Sequence, residues 1–337
     1  MPEIRVRRRR RRSFYRRHRP LVLGLTSIAA LLAIGVITIG VYAASLFGTV
    51  DGNLARLDDA APSYAGRPAA SSDGAMNILL LGSDSRRAAD ERDLREAGDQ
   101  RADTIMLLHV PADRRDVQVM SILRDTWVDV PGHGPAKVNA ALAHGGVALM
   151  MQTVEQLVDA RIDHVAVIDF AGLSSMVDSL GAVQVHNTVP FSRGDRSFES
   201  GSITLRGDDA LAYVRERYAF ADGDFQRARN QQALLKAIGM ALLSTDTLSD
   251  PPRVSAFVEN TARSVSVDSA WSVTDMVGLG VSLRSLRPSG MTFFTMPTNG
   301  TGTSPDGQSI VVLDDVALPE LRAAFAKDTV EAMAGPR

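Results

Sequence analysis

Arg227 and Gln231 occupy positions where an amphipathic helix carries leucine. From Phe225 to Ser244 the apolar residues recur at helical spacing, with Leu235, Ile238 and Leu242 on one stripe. Steps of four back from Leu235 land on Gln231 and then Arg227, so the face that meets the core carries an amide and a guanidinium. An unpartnered buried charge costs on the order of several kcal/mol, so the fold either pairs this arginine internally or holds it for an anionic ligand. Arg229 falls about 200° around the helix from Arg227 and is expected to face solvent. Just upstream, Tyr213-Val-Arg215-Glu-Arg217-Tyr218 adds two more cations. Their spacing of two puts both side chains on one side of an extended segment and on nearly opposite sides of a helix.

Two carboxylates form the next pair. Asp84 follows the apolar run Asn77-Ile-Leu-Leu-Leu81, and Asp103 precedes Thr104-Ile-Met-Leu-Leu-His-Val110. Loops at strand ends are where open α/β sheets place their sites. If the two strands are neighbours, Asp84 and Asp103 can share a divalent cation, and oxygen-only ligation favours Mg²⁺ or Mn²⁺ over zinc. The competing reading makes both of them turn or cap residues. Arg101 lies two residues before Asp103, Arg124 follows the strand Val117–Ile122, and Lys137 opens Lys137-Val-Asn139-Ala-Ala. Asp224 stands three residues before Arg227, where it either caps the helix or joins the cations.

The elements that carry these residues alternate. Strands are expected at 77–81, 104–110, 117–122, 164–168, 291–296 and 310–313. Helices are expected at 138–160, 170–180, 225–244, 254–265, 272–286 and 319–326, with a short acidic-start helix at 207–213 that gives way to extended chain at the paired arginines. This is the pattern of an α/β layered fold. Residues 86–100 are charged and helix-prone, and they are expected to be solvated.

The formal net charge of −2 hides two unlike parts. Residues 1–19 hold ten arginines and one glutamate, a composition suited to anionic lipid or nucleic acid. The uncharged run Leu21–Phe47 that follows is long enough to cross a bilayer, which decides for membrane and leaves no nucleic-acid partner. A cleaved signal peptide has a shorter apolar core, although Val41-Tyr-Ala-Ala-Ser45 resembles a cleavage site. The expected organisation is a basic cytoplasmic tail (1–19), a single transmembrane helix (20–48), an extracytoplasmic linker (49–75) and a domain at 76–330. That domain has a motif-bearing core at 76–245 and a weaker part at 246–330. The positive-inside rule leaves the N-terminus in the cytoplasm and the domain outside. With no cysteine, disulfides and thiolate metal sites are excluded. His109, His133, His144, His164 and His186 lack metal spacing, the Arg-Gly-Asp triplets at 193–195 and 206–208 are chance, and no Gly-x-Ser-x-Gly elbow, phosphate loop or dinucleotide fingerprint is present.

Many guanidinium groups, a hard cation and no nucleophile suit phosphoryl transfer, which works by positioning and by neutralising charge on phosphate oxygens. Outside the membrane the natural phosphate substrate is the pyrophosphate of a membrane lipid. At this point the motifs align. Asn77-Ile-Leu-Leu-Leu-Gly-Ser-Asp84-Ser-Arg86, Arg101-Ala-Asp103-Thr104, Ser121-Ile-Leu-Arg124-Asp125-Thr126, Lys137-Val-Asn139-Ala-Ala, Tyr213-Val-Arg215-Glu-Arg217 and Asp224-Phe-Gln-Arg227-Ala-Arg-Asn-Gln231-Gln resemble the LytR-CpsA-Psr family, in family order. The resemblance implies an α-β-α domain with a central mixed sheet. It also implies a phosphotransferase that moves an anionic glycopolymer from a polyprenyl pyrophosphate carrier to peptidoglycan. Carried over by motif, Asp84 and Asp103 hold the Mg²⁺. Arg101, Arg124, Arg215, Arg217, Arg227 and Lys137 bind the phosphates, and Asp224 and Gln231 arrange them. Leu123 departs from the polar or proline residue usual before the Arg-Asp pair. The alternatives are a non-catalytic envelope regulator or polymer-binding protein, and a polyprenyl pyrophosphate hydrolase.

Overall fold

The computed structural model describes residues 41, 42, 44–83 and 102–334. The chain forms two units, Met1–Gly48 and Thr49–Arg337, and the fold described below is that of the second. The basic tail, most of the apolar run, Asp84, the segment 86–100 and Arg101 lie outside the described residues. Among the described residues no helix is long and apolar enough to cross a membrane.

In chain order the strands are β1 (Ala55–Leu57), β2 (Met76–Ser83), β3 (Thr104–Val110), β4 (Val117–Ile122), β5 (Trp127–Val130), β6 (Gly134–Lys137), β7 (His164–Asp169), β8 (Val183–Asn187), β9 (Phe191–Arg193), β10 (Arg196–Phe198), β11 (Gly201–Leu205), β12 (Val265–Asp268), β13 (Met291–Thr295), β14 (Thr298–Thr303) and β15 (Ser309–Leu313). The principal helices are α1 (Ala140–Val158), α2 (Phe170–Ser179), α3 (Gly207–Arg215), α4 (Asp224–Leu242), α5 (Pro251–Ser264), α6 (Val273–Ser282) and α7 (Leu318–Ala326).

A seven-stranded sheet runs β1-β12-β7-β2-β3-β4-β13. It is mixed: β2 pairs parallel with β7 and antiparallel with β3, and β4 pairs antiparallel with β3 and parallel with β13. The continuous apolar run of β2 follows from cover on both faces. Leu79 and Leu81 pack with Leu107, Met120 and Val165 against Met150, Val154 and Leu157 of α1 and Leu321 and Phe325 of α7. Ile78 and Ala166 face the other way, toward Trp271 and, on α6, Met276 and Leu279. On that second face α4 is tied down by polar bonds: the Gln232 amide donates to Ser121 Oγ at 2.8 Å and to the Phe294 carbonyl at 2.9 Å, bridging β4 and β13. The expected α/β class with a central mixed sheet is what the chain adopts.

Several boundaries differ from the sequence reading. Residues 49–75 are not a bare linker: β1 pairs with β12 at the sheet edge, and this stretch belongs to the folded unit. Its hold on the domain is specific. The Glu155 side chain, fully buried in α1, receives Arg67 Nη2 at 2.8 Å, Tyr64 Oη at 2.9 Å and the Ile162 N–H at 3.0 Å. The part after residue 245 is no appendage either, since β12 and β13 are strands of the central sheet. The alternating pattern of Val183, Val185 and Asn187 in β8, paired with β11, is a two-stranded ladder that the sequence reading passed over. Helix α1 is broken at Gly145 and Gly146, the latter at φ 63° and ψ −158°, a conformation that glycine adopts freely.

Replacing Arg67 with alanine leaves the Glu155 carboxylate buried without its countercharge. The expected result is a loss of about 3–5 kcal/mol in unfolding free energy, read from urea denaturation of wild type and Arg67→Ala under the same conditions.

Candidate active site

The antiparallel pairing of β2 with β3 and the end of β4 bring the described motif residues to one end of the sheet. The Asp103 N–H donates to the Gly82 carbonyl at 3.1 Å, and β2, which leads to Asp84, pairs with β3, which follows Asp103, so the two strands are neighbours as the shared-cation reading requires. Arg124 leaves β4 in a loop held by backbone bonds from Val138 N–H to the Thr126 carbonyl at 2.8 Å and from Asn139 N–H to the Arg124 carbonyl at 3.2 Å. Helix α3 ends at Arg215, and Glu216 is extended at φ −73° and ψ 134°. The chain therefore changes from helix to extended form between the two arginines, and both line the same cleft. Glu216 Oε1 then accepts the N–H groups of Arg217, Tyr218 and Ala219, at 3.0, 2.7 and 3.0 Å, which fixes the turn. Gly223, at φ 50°, opens α4 in the left-handed region.

Asp224 is the hub. Its Oδ2 accepts Arg124 Nε at 2.9 Å and Arg227 Nη2 at 3.0 Å, and its Oδ1 lies 3.8 Å from Arg217 Nη1. Asp224 is the first residue of α4 and Gly223 its N-cap, and the Asp224 side chain is paired with these cations. Arg124 Nη1 also bonds Asp103 Oδ1. Arg227 and Gln231 are buried at 6% and 8% exposure, inward as the spacing predicts. Arg229 is bonded to Asp222 and Gln226 at the solvent edge.

The electrostatics differ among these cations. Burial draws the Arg227 guanidinium below its ordinary range, Asp224 opposes that, and Arg124 adds to it. Burial alone lowers Arg215. At Arg124 burial is the largest influence and pulls downward, but Asp224, Asp103 and Asp125 together outweigh it and raise the value. All three remain cations at any working pH.

The cleft has a volume of about 200 Å³ and is lined by Arg124, Arg193, Arg215, Arg217 and Arg227, with Asp103 as the one carboxylate on its wall among the described residues. Among the described residues, five guanidinium groups against Asp103 on the wall and Asp224 behind it leave a surplus of positive charge, which makes the cleft an anion site suited to phosphate groups. Val214 and Gln231 also line an adjoining apolar slot of about 70 Å³, walled by Leu80, Met106, Leu173, Leu234 and Ile238. A larger cavity of about 360 Å³ lies elsewhere, between Leu57–Ala60 and the α1 kink, and carries Asp58 and Asp59 with no arginine. It lacks the charge to hold a phosphate.

Lys137 stands at the margin: its Nζ is 3.2 Å from Asp125 Oδ1, and it is absent from the cleft wall. Asp84 and Arg101 lie outside the described residues. Sequence reasoning missed Arg193, which sits in one of the dismissed Arg-Gly-Asp triplets and reaches the cleft from β9, and it assigned no role to Asp125 or Tyr218. It read Leu235 and Ile238 as core stripe; Ile238 does belong to a buried cluster, and both residues also line the slot.

A model of the LytR_cpsA_psr family matches residues 47–327. The chain belongs to the LytR-CpsA-Psr family. The cell wall biosynthesis protein LcpA of Corynebacterium glutamicum is 31% identical over 78% of this chain and 57% of its own length, so the chain spans little more than half of that relative. The polyisoprenyl-teichoic acid–peptidoglycan teichoic acid transferase TagU of Enterococcus faecalis is 31% identical over 73% of this chain and 77% of its own. Among solved structures, TagV of B. subtilis superposes with a TM-score of 0.63 at 22% identity, over 77% of this chain and 99% of that one. TagT bound to LI-WTA superposes with a TM-score of 0.61 at 25% identity, over 81% and 98%.

The two arginines of α4 should separate in a binding experiment. Arg227→Ala is expected to weaken inorganic pyrophosphate binding by roughly tenfold or more, the worth of one hydrogen bond to a charged group. Arg229→Ala should leave the affinity within experimental error. Calorimetric titration measures both, and thermal melts verify that the variants are folded.

Proposed function

We propose that this chain is a membrane-anchored phosphotransferase that attaches an anionic glycopolymer, carried on a polyprenyl pyrophosphate, to peptidoglycan. The observation that carries the reading is the juxtaposition of the five-arginine cleft with the apolar slot, joined through Val214 and Gln231. A lipid pyrophosphate has the same two parts in the same order. The names of the relatives support the glycopolymer and peptidoglycan ends of the reaction, since TagU is a teichoic acid transferase and TagT was solved with LI-WTA. The apolar run Leu21–Phe47 serves as the single span, with the N-terminus cytoplasmic and the domain outside.

In this mechanism Arg124, Arg215, Arg217 and Arg227 bind the non-bridging oxygens of the two phosphates and neutralise the charge that builds on them. The acceptor sugar hydroxyl forms a new P–O bond at the phosphorus that carries the polymer. The bridging P–O bond breaks, the lipid phosphate leaves with the bonding pair, and the hydroxyl proton is released. The product is a phosphodiester. Asp224 keeps Arg124, Arg217 and Arg227 in register, and Gln231 closes the boundary between the polar and apolar halves.

Among the described residues no cluster of three His, Cys, Asp or Glu could hold a metal ion. Asp103 nonetheless fits a Mg²⁺ or Mn²⁺ that takes one or two carboxylates and completes its shell with phosphate oxygens and water, because it is the carboxylate on the cleft wall. Asp103, with Asp84, would hold that ion, which when bound supplies further neutralisation of phosphate charge.

The test incubates the full chain with a lipid-linked oligosaccharide pyrophosphate, Mg²⁺ and a peptidoglycan oligomer, with mass spectrometry as readout. A joined product that Arg227→Ala fails to form is the expected result. Free phosphorylated sugar without joined product would make the protein a hydrolase. Unchanged substrate in wild type and variant alike would leave only a binding or regulatory role.

A further inference from the structure

Tyr218 is an aromatic ring that the fold leaves in water. It is 84% exposed, and no other Phe, Tyr or Trp is exposed among the described residues of the folded unit. Its neighbours in the sequence and in the cleft region behave otherwise: Phe191, Phe198, Tyr213 and Phe220 pack against one another in a buried cluster. A lone exposed apolar side chain is ordinary on a surface, and what sets this one apart is how it is held. Glu216 Oε1 accepts the Tyr218 N–H at 2.7 Å, which fixes the backbone. Arg217 donates from Nη2 to Tyr218 Oη at 2.6 Å and places its guanidinium carbon 4.6 Å from the ring centroid. Arg217 is oriented in turn by Asp224, whose Oδ1 lies 3.8 Å from Nη1. The ring is therefore tied at its backbone, at its hydroxyl and on one face. The opposite face is open.

The position of the ring gives it an occupant. Val214 and Gln231 line both the cleft and the slot, whereas Tyr218 and Arg193 line the cleft alone. A lipid pyrophosphate with its hydrocarbon in the slot and its phosphates on the arginines has one end left, the group joined to its second phosphate. That group leaves the cleft by a wall the slot does not share, and the exposed ring stands there. A sugar ring presents C–H bonds on its faces, and their partly positive hydrogens meet the negative face of an aromatic ring as the edge of a second aromatic ring does. On the lipid pyrophosphate reading of the cleft, we propose that Tyr218 is the platform on which the first sugar of the polymer stacks, while Arg217 holds the phosphate attached to that sugar. Arg193, whose Nε is 3.9 Å from Glu216 Oε2, supplies N–H donors for the sugar hydroxyls from the same cleft. The site thereby selects a lipid pyrophosphate that already carries a sugar over the bare carrier.

The test compares two probes on the full chain in detergent: farnesyl pyrophosphate, and farnesyl pyrophosphate bearing one glucose on its second phosphate. Calorimetric titration gives the affinity of each for wild type, Tyr218→Ala, Tyr218→Phe and Tyr218→Trp, and thermal melts verify that the variants are folded. The two probes differ in charge, so the readout is how the ratio of their affinities changes from wild type to variant. Tyr218→Ala is expected to weaken the glucosylated probe roughly three- to tenfold more than the bare one, the worth of one aromatic contact. Tyr218→Phe and Tyr218→Trp, which keep a ring but lose the bond from Arg217, should hold the ratio near that of wild type. An equal loss on both probes in Tyr218→Ala would mean that Tyr218 only positions Arg217, and would overturn the stacking while leaving the lipid pyrophosphate reading intact. A ratio that falls as far in Tyr218→Phe as in Tyr218→Ala would also overturn it, since the hydroxyl and not the ring would then carry the preference. Binding of neither probe to wild type would overturn the lipid pyrophosphate reading itself, and the stacking with it.

Discussion

The Asp224 carboxylate is the constraint on which the site depends. It receives guanidinium groups from the end of β4, from the turn after α3 and from α4 itself. Each of those cations would repel the others in a partly buried setting, where charges interact more strongly than in water. One carboxylate, aided by Asp103, holds them together without neutralising them. The cleft therefore keeps a surplus of positive charge aimed at a common volume, which is what a doubly phosphorylated ligand requires, and the arginines need no rearrangement to meet it. Asp224 can do this because it is the first residue of α4 and Arg227 lies one turn further along the same helix. The left-handed Gly223 allows the chain to enter the helix at that angle.

How the rest of the fold serves this hub is visible in the polar residues of α4. Gln232 ties the helix to β4 and β13, and Gln226 and Asn230 bond each other at 2.9 Å beneath the surface. A helix with so many buried polar side chains has no clean apolar stripe, and its position is set by specific hydrogen bonds as much as by packing. That arrangement suits a catalytic element, where small displacements of Arg227 would be costly. The sheet supplies the rigid base, since β2, β3 and β4 all terminate or begin at the cleft.

The inward turn of Arg227 and Gln231 was legible because helical periodicity is a local property that four-residue steps expose directly. The central strands were legible for a similar reason: burial on both faces makes a continuous apolar run. What escaped was non-local. Arg193 reaches the cleft only because the β9–β10 hairpin folds back over it, and no spacing around residue 193 signals that. Residues 49–75 look like a linker by composition, yet Arg67 and Tyr64 are held by a carboxylate about ninety residues away in sequence, at Glu155. The slot wall was read as core because Leu235 and Ile238 obey the same periodicity whether they face a packed neighbour or a cavity. Lys137 matched its motif, but its side chain is engaged with Asp125 and stays off the cleft wall.

The central claim is that the arginine cleft and the apolar slot form one continuous receptor for a lipid pyrophosphate. The structure of the full chain in complex with a short polyprenyl pyrophosphate tests it most directly. The prediction places both phosphates among Arg124, Arg215, Arg217 and Arg227, with the first isoprenoid carbons against Leu234 and Ile238. Phosphates bound away from those arginines, or a hydrocarbon chain directed out to solvent with the slot left empty, would contradict it.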